Sequence, residues 1–249
     1  MAVSHKSVFL IGERPLVEEL GEVCHGAGFD VYYKLNHVQR GASFPGYLKK
    51  GTTNLRTASL AIELTNTNKE IKKTNLKYLA PSLKKSSIIL STSITVTASE
   101  QATWIKSPDR LVGMSALPSL MRNGLIEFAP TVYTEKSVIK QVEDFVSLLG
   151  KEMSIVQDRI GMVMPRILCM LINEACFAVM ENISSASDVD TAMKLGTGYP
   201  IGPIEWADTI GVDQVIAVLE ALHADLGEER YRIAPLLKQL ATGARWWRT

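Results

Sequence analysis

The first 34 residues constrain the fold more tightly than any other stretch of the chain. Residues 7–12 read SVFLIG, a short β-branched and aliphatic run that ends in glycine. A helical stretch follows from Pro15 to about His25. Pro15 suits the first turn of a helix, where its missing N–H costs nothing. GAGF then leads to DVYYK at 30–34, a second strand. Strand, helix and strand in this order open a doubly wound parallel sheet, because parallel strands need a crossover between them.

The pattern continues to about residue 158. Residues 36–57 lack periodicity and are rich in Gly, Lys and Thr, so the segment is expected to be loop. SLAIEL (59–64) and SIILS (87–91) are further buried strands, joined by a helix through Lys69–Leu83. RLVGM (110–114) and LIEFAP (125–130) add two more. A helix after Thr134 sets Val138, Val142, Phe145, Val146 and Leu149 on one face, and Gly150 stops it. Beyond Asp158 the chain turns almost wholly helical. SASDVDTAMKLG supplies Ser187 as an N-cap, Asp190 three residues on and Gly196 as terminator. A further helix from Val212 to Leu226 carries Val215, Leu219, Leu222 and Leu226 at helical spacing. The expected division is an α/β domain over 1–160 and an all-α domain over 161–249.

Composition narrows the classes of function. With 27 Lys+Arg against 26 Asp+Glu, the net charge of +1 gives no electrostatic case for nucleic acid or an anionic membrane. The most apolar segment, GMVMPRILCMLINEACFAVM, is broken by Pro165, Arg166, Asn173 and Glu174 and reads as a buried helix rather than a span. The apolar run VFLI near the start is too short for a signal-peptide core. Cys24, Cys169 and Cys176 have neither CxxC spacing nor an even count, which points to a reducing, cytoplasmic compartment. The four histidines make no metal-ligand spacing, so no metal site is expected, and neither a nucleophile elbow nor a P-loop occurs.

One motif is specific. The run DVDTAMKLGTGYPIGPIEWADTIG, with NEACFAVMENIS before it, resembles the C-terminal domain of the 3-hydroxyacyl-CoA dehydrogenase family, of the 3-hydroxybutyryl-CoA type. Weaker echoes keep the family's order from about residue 58: SLAIEL, STSITVT, DRLVGM, GLIEF, LGKEM and DRIGMVMPRI. The resemblance implies a Rossmann-like NAD-binding domain followed by a helical dimerisation domain. It also implies oxidation of 3-hydroxyacyl-CoA to 3-oxoacyl-CoA in fatty acid metabolism, with a His–Glu pair handling the proton.

Several residues depart from that pattern. GxGxxG needs glycines for the tight turn and for backbone approach to the pyrophosphate. Here the turn reads Gly12-Glu13-Arg14-Pro15-Leu16-Val17, so only Gly12 remains, and the turn is open to two readings, Arg14 pairing with a phosphate or, favoured, a plain strand–turn–helix. Like charges at 4 Å cost about 1 kcal/mol in water and about 4 at an effective dielectric of 20, so Glu13 opposes a diphosphate. Lys34-Leu35-Asn36 stands where the acidic ribose ligand is expected, and Leu64 and Thr67 replace a small residue and a glutamate, although Lys72 remains. Ser93 is the best match to the family's serine. Ser115 stands in the place of the histidine, Glu127 matches its carboxylate, and the second-domain asparagine falls at Pro165. A serine hydroxyl titrates far above neutral pH, and loss of a general base costs about 10²–10⁴-fold. Glu127 is open to two readings, a direct base or a strand-edge carboxylate satisfied by backbone or solvent.

The family's long arm between its second and third strands is replaced by 36–57, where Lys49, Lys50 and Arg56 are the residues able to meet a phosphate. Trp246 and Trp247 near the C-terminus are expected to pack on the helical domain or on a partner. The expectation is a family member that has lost NAD-dependent catalysis and binds no NAD tightly. It would serve as a scaffold, a partner subunit or a binder of an acyl-CoA-like small molecule, as a homodimer or a heterodimer with an active relative. The alternative is an active oxidoreductase using NAD through an altered site, and a weaker third is a metabolite-sensing module.

Overall fold

The computed structural model describes residues 6–37, 44–51 and 55–242. Trp246 and Trp247 lie outside the described residues, as do 38–43 and 52–54 of the segment expected to be loop. The chain divides into two compact units, 1–162 and 163–249, two residues beyond the boundary read from sequence.

The first unit is built on one sheet. Its elements are β1 (Ser7–Gly12), α1 (Leu16–Gly26), β2 (Asp30–Leu35), β3 (Leu48–Lys50), β4 (Leu60–Leu64), α2 (Lys69–Ser82), β5 (Ile88–Thr92), α3 (Ala98–Ala102), β6 (Leu111–Met114), β7 (Leu125–Pro130), α4 (Lys136–Leu148) and β8 (Glu152–Ile155). The strand order is β3-β2-β1-β4-β5-β6-β7-β8. The first six strands in that order pair in parallel, whereas β7 pairs antiparallel with β6 and parallel with β8. The architecture is a Rossmann-like doubly wound α/β unit.

Side-chain alternation explains why β1 is apolar at every position. Val8 and Leu10 enter a core with Leu16, Leu20, Val142 and Phe145 from α1 and α4. Phe9 and Ile11 enter a second core with Leu76, Leu79 and Leu83, against α2. A strand with helices on both faces has no solvent side, so the period-2 signal is lost.

Three expectations are corrected here. The segment 36–57 is not all loop: Leu48–Lys50 pairs with Val31–Tyr33 as β3, and Leu55–Thr57 forms a 3₁₀ turn. β8 has half-exposed and exposed side chains, so hydropathy did not mark it, yet it pairs Leu125–Phe128 with Glu152–Ile155. Thus β7, and Glu127 with it, is interior to the sheet and not at its edge.

The second unit is helical throughout its described residues: α5 (Met164–Met180), α6 (Ala186–Thr197), α7 (Pro203–Ile210), α8 (Val212–Leu226), a 3₁₀ turn at Glu229–Tyr231 and α9 (Pro235–Ala241). The segment GMVMPRILCMLINEACFAVM forms most of α5, with Leu168, Cys169, Ile172 and Cys176 buried. Of the α8 residues spaced for burial, Val215, Leu219 and Leu222 are buried but Leu226 is exposed in the last turn.

The cap of α6 is displaced from the sequence reading by two residues at each end. Ser185, not Ser187, is the N-cap, accepting the Asp188 N–H at 3.1 Å while its hydroxyl reaches the Asp188 carboxylate at 2.7 Å. Gly198, at φ 73°, terminates the helix in place of Gly196. Asp190 is thereby freed for another task. Its carboxylate accepts the Ile204 and Glu205 N–H groups at 2.8 and 3.1 Å, capping α7. Gly202 is required beside it, since a Cβ there would lie 2.3 Å from that carboxylate. The most family-like stretch of the chain is therefore a helix-to-helix clasp.

Replacing a serine N-cap by alanine costs about 1 kcal/mol. Ser185→Ala should destabilise the helical unit by that amount in urea unfolding, while Ser187→Ala should stay within about 0.5 kcal/mol of the parent. Equal effects would place the cap elsewhere.

Candidate functional site

The strand order reverses between β1 and β4, and in open α/β sheets the crevice outside the carboxyl ends of such strands is where ligands bind. Here that rim is knitted together by the chain's own polar groups.

Gly12 ends β1. A Cβ at this position would lie 2.3 Å from the Leu64 carbonyl oxygen, so close approach of β1 to β4 demands glycine with or without a phosphate. The next residue, Glu13, crosses the crevice. Its N–H donates to the Leu64 carbonyl at 3.1 Å. Its carboxylate accepts the Asn66 N–H at 3.0 Å and the Thr67 hydroxyl at 2.8 Å. An acidic side chain thus already takes donors of the turn that follows β4. Arg14 pairs with Glu18 one turn along α1, and its guanidinium lies 4.8 Å from the Phe44 ring centroid.

Asn66 extends the seam towards β6. Its side-chain amide donates to the Ala116 carbonyl at 2.9 Å, and its backbone carbonyl accepts the Thr95 hydroxyl at 2.9 Å. Next to Ala116, Ser115 faces Glu127 across the β6–β7 pair. The Ser115 N–H donates to the Glu127 carbonyl at 2.9 Å, and the Glu127 N–H reaches the Ser115 hydroxyl at 3.4 Å. Both side chains are buried. The two residues are adjacent, but the serine hydroxyl engages backbone.

Beneath the seam lies a buried ion pair. Lys72 Nζ sits 2.5 Å from Glu63 Oε2, and both residues are at most 1% exposed. The ammonium also donates to the Thr92 carbonyl (2.8 Å) and Thr92 Oγ1 (2.7 Å). The other Glu63 oxygen accepts the Asn75 amide at 3.0 Å, which reaches Asn36 Oδ1 at 2.9 Å. Asn36 in turn donates to Thr65 Oγ1 at 2.8 Å. Burial pulls the Lys72 pKa below the usual lysine value, against the upward pull of Glu63. Lys72 is therefore spent inside the protein.

Ser93 is also buried. Its hydroxyl donates to the Ser91 carbonyl at 3.1 Å and accepts from Gln101 Nε2 at 3.0 Å. Of the residues singled out from sequence, Gly12 ends β1 at the crevice, Ser115 follows the end of β6 beside Glu127 within β7, and Ser93 and Lys72 are packed beneath the rim. Lys49, a candidate phosphate contact, pairs with Asp30 at 2.7 Å. Pro165 lies in the first turn of α5, where its missing N–H leaves no gap in the helix. Sequence reasoning missed Glu63, Asn75, Asn36 and Thr65. The available signal was a glutamate inside the otherwise apolar run SLAIEL, which can be buried only if paired.

No group of three or more His, Cys, Asp or Glu among the described residues could hold a metal. All three cysteines are buried and unbridged, and burial pushes the Cys24 and Cys176 thiols up to about 12, so neither is a nucleophile at neutral pH. Among the described residues no helix is long and apolar enough to cross a membrane.

Comparison with known proteins places most of the chain within two domain models of one family. Residues 46–159 match the model for the 3-hydroxyacyl-CoA dehydrogenase NAD binding domain, and 161–247 that for the C-terminal domain. A 3-hydroxybutyryl-CoA dehydrogenase of Clostridioides difficile is 31% identical over 192 residues, 76% of this chain and 68% of that protein. One from Bradyrhizobium diazoefficiens is 30% identical over 74% of this chain, which spans only 62% of that relative's length. The crystal structure of (S)-3-hydroxybutyryl-CoA dehydrogenase from Ralstonia eutropha superposes with a TM-score of 0.79 at 26% identity, covering 96% of this chain and 95% of that one.

Removing one partner of a buried ion pair costs about 3–5 kcal/mol, because the other is left charged and dry. Lys72→Met should lower unfolding stability by that amount, and the double variant Glu63→Gln/Lys72→Met by clearly less than the two single losses combined. A double-mutant cycle in urea with additive losses would rule out the coupling.

Proposed function

The chain belongs to the 3-hydroxyacyl-CoA dehydrogenase family, and from that premise we propose that it has kept the family's scaffold and lost its NAD-dependent reaction. It acts as a partner subunit or as a binder of an acyl-CoA-like ligand. The observation that carries this reading is the carboxylate of Glu13. A dinucleotide's diphosphate belongs at the turn after β1, where glycines would expose backbone N–H groups. In this chain the turn instead offers an anion, held by Asn66 and Thr67. The residues present do not fit the group.

Two further features support the same reading. Lys34 stands near the end of β2, its ammonium 4.4 Å from the Tyr78 ring centroid, where a carboxylate would be needed for ribose hydroxyls. Ser115 offers no group that titrates near neutrality to accept the substrate's proton. A second reading, an active oxidoreductase with altered contacts, is favoured by Glu127 persisting beside position 115 and by relatives of about 30% identity named as dehydrogenases.

Self-association completes the proposal. Helix α6 has no buried residue within the chain, and Leu195, Ile183 and Ile167 of the helical unit are 83%, 71% and 61% exposed. Apolar area of this kind is covered in an obligate interface. A second copy of this chain or an active relative is the proposed cover.

NADH titration followed by fluorescence should give no saturation below millimolar concentration. Turnover of acetoacetyl-CoA should be absent, or about 10²–10⁴-fold below that of a histidine-bearing relative. Micromolar NADH affinity with measurable oxidation would establish the second reading instead. Sedimentation equilibrium at micromolar concentration should return a dimer, alone or once an active relative is added, and a monomer under both conditions would refute the assembly.

A further inference from the structure

The amino ends of β5 and β6 lie at the edge of the sheet opposite the crevice, and a separate cavity of about 590 Å³ opens there. Its walls are the end of α2, the segment leading into β5, the segment after α3, and Arg110 just ahead of β6. The size falls within the range of small-ligand sites. Every charged residue lining it is basic: Lys77, Lys85, Lys106 and Arg110. None of the four has a carboxylate within ion-pair distance among the described residues.

Arg110 makes this a built site and not a patch of surface lysines. The residue is 5% exposed, and its terminal nitrogens donate to the neutral carbonyls of Ala80, Lys84 and Ser87. Its Nε–H has no acceptor among the described residues. A buried guanidinium held by neutral carbonyls has no ion-pair partner, and its field reaches the cavity that the residue lines. Its closest charged neighbour in effect, Asp109, sits on the exposed side of the same turn. Burial would otherwise weigh against the cation, so an anion in the cavity would relieve a strain the protein alone does not.

Apart from Ser107 the remaining lining is apolar, with Pro81, Leu83 and Ile105 around the partly buried Trp104. Over one part of that ring the Lys73 ammonium lies 5.7 Å from the centroid. An inorganic ion would leave that surface unused, whereas a planar ring carrying phosphates would use both parts. We propose that this cavity binds a nucleoside phosphate, the base packed on Trp104 and the phosphates between Lys77, Lys85 and Lys106 in the field of Arg110. The site is separate from the crevice and independent of whether redox chemistry survives there.

The test is calorimetric titration of the full chain with ADP, with adenosine as control. Saturable ADP binding is expected, adenosine should bind at least about tenfold more weakly, and Lys85→Glu/Lys106→Glu should weaken ADP by about tenfold or more. Both lysines are exposed, so far-UV circular dichroism should be unchanged. If the reversal disturbs folding, Lys85→Gln/Lys106→Gln read in the same way decides. Trp104→Leu should also weaken ADP. Absence of binding at millimolar ADP overturns the proposal, and so does binding indifferent to the lysine and tryptophan changes, which would assign the nucleotide elsewhere.

Discussion

A lysine and a glutamate buried together at the carboxyl ends of β4 and β5 set the character of the whole rim. Glu63 lies in the strand, Lys72 on α2, and each is fully removed from water. Each depends on the other, since an unpaired buried charge would take a large share of the fold's stability. Their remaining valences recruit Thr92, Ser91, Asn75, Thr65 and Asn36, which ties β2, β4, β5 and α2 into one polar layer. Such a layer fixes register and helix position more than it adds net stability. Glu13 and Asn66 then lie over it, and the crevice has the shape that this layer dictates.

The two halves of the chain carry records of the same ancestry. In the helical unit the family-like residues have mechanical tasks that remain whatever the chemistry. Asp190 caps α7, Gly202 admits that cap, and Asn173 holds the start of α9 through the Arg232 carbonyl and the Ala234 N–H. Changing them would cost stability directly. In the α/β half, Gly12 has a mechanical task of the same kind, since β1 and β4 nearly touch there.

Much of the fold was legible before any coordinates. The βαβ opening, the buried strands, the α4 face and the switch to helix near residue 160 all follow from apolar period and from Gly and Pro placement. Elements with little apolar signal were missed. β3 has two exposed residues of three and β8 has none buried, so each is held by backbone pairing with a neighbour, which the local sequence does not advertise. The α6 cap was misread because Ser184, Ser185 and Ser187 all suit the role, and only the backbone at Ser185 turns its hydroxyl onto a free N–H.

The sequence by itself determined the lineage, the two-part organisation, the serine at position 115 and the acid at position 13 in the turn after β1, because these are matters of residue identity and order. Tertiary structure alone decided what the acid does, that Lys72 and Ser93 are sealed beneath the crevice, and that four basic groups scattered from residue 77 to residue 110 line one cavity. The reason is physical: pattern and propensity act over one or two turns of chain, whereas burial and charge pairing depend on which strands come to lie side by side.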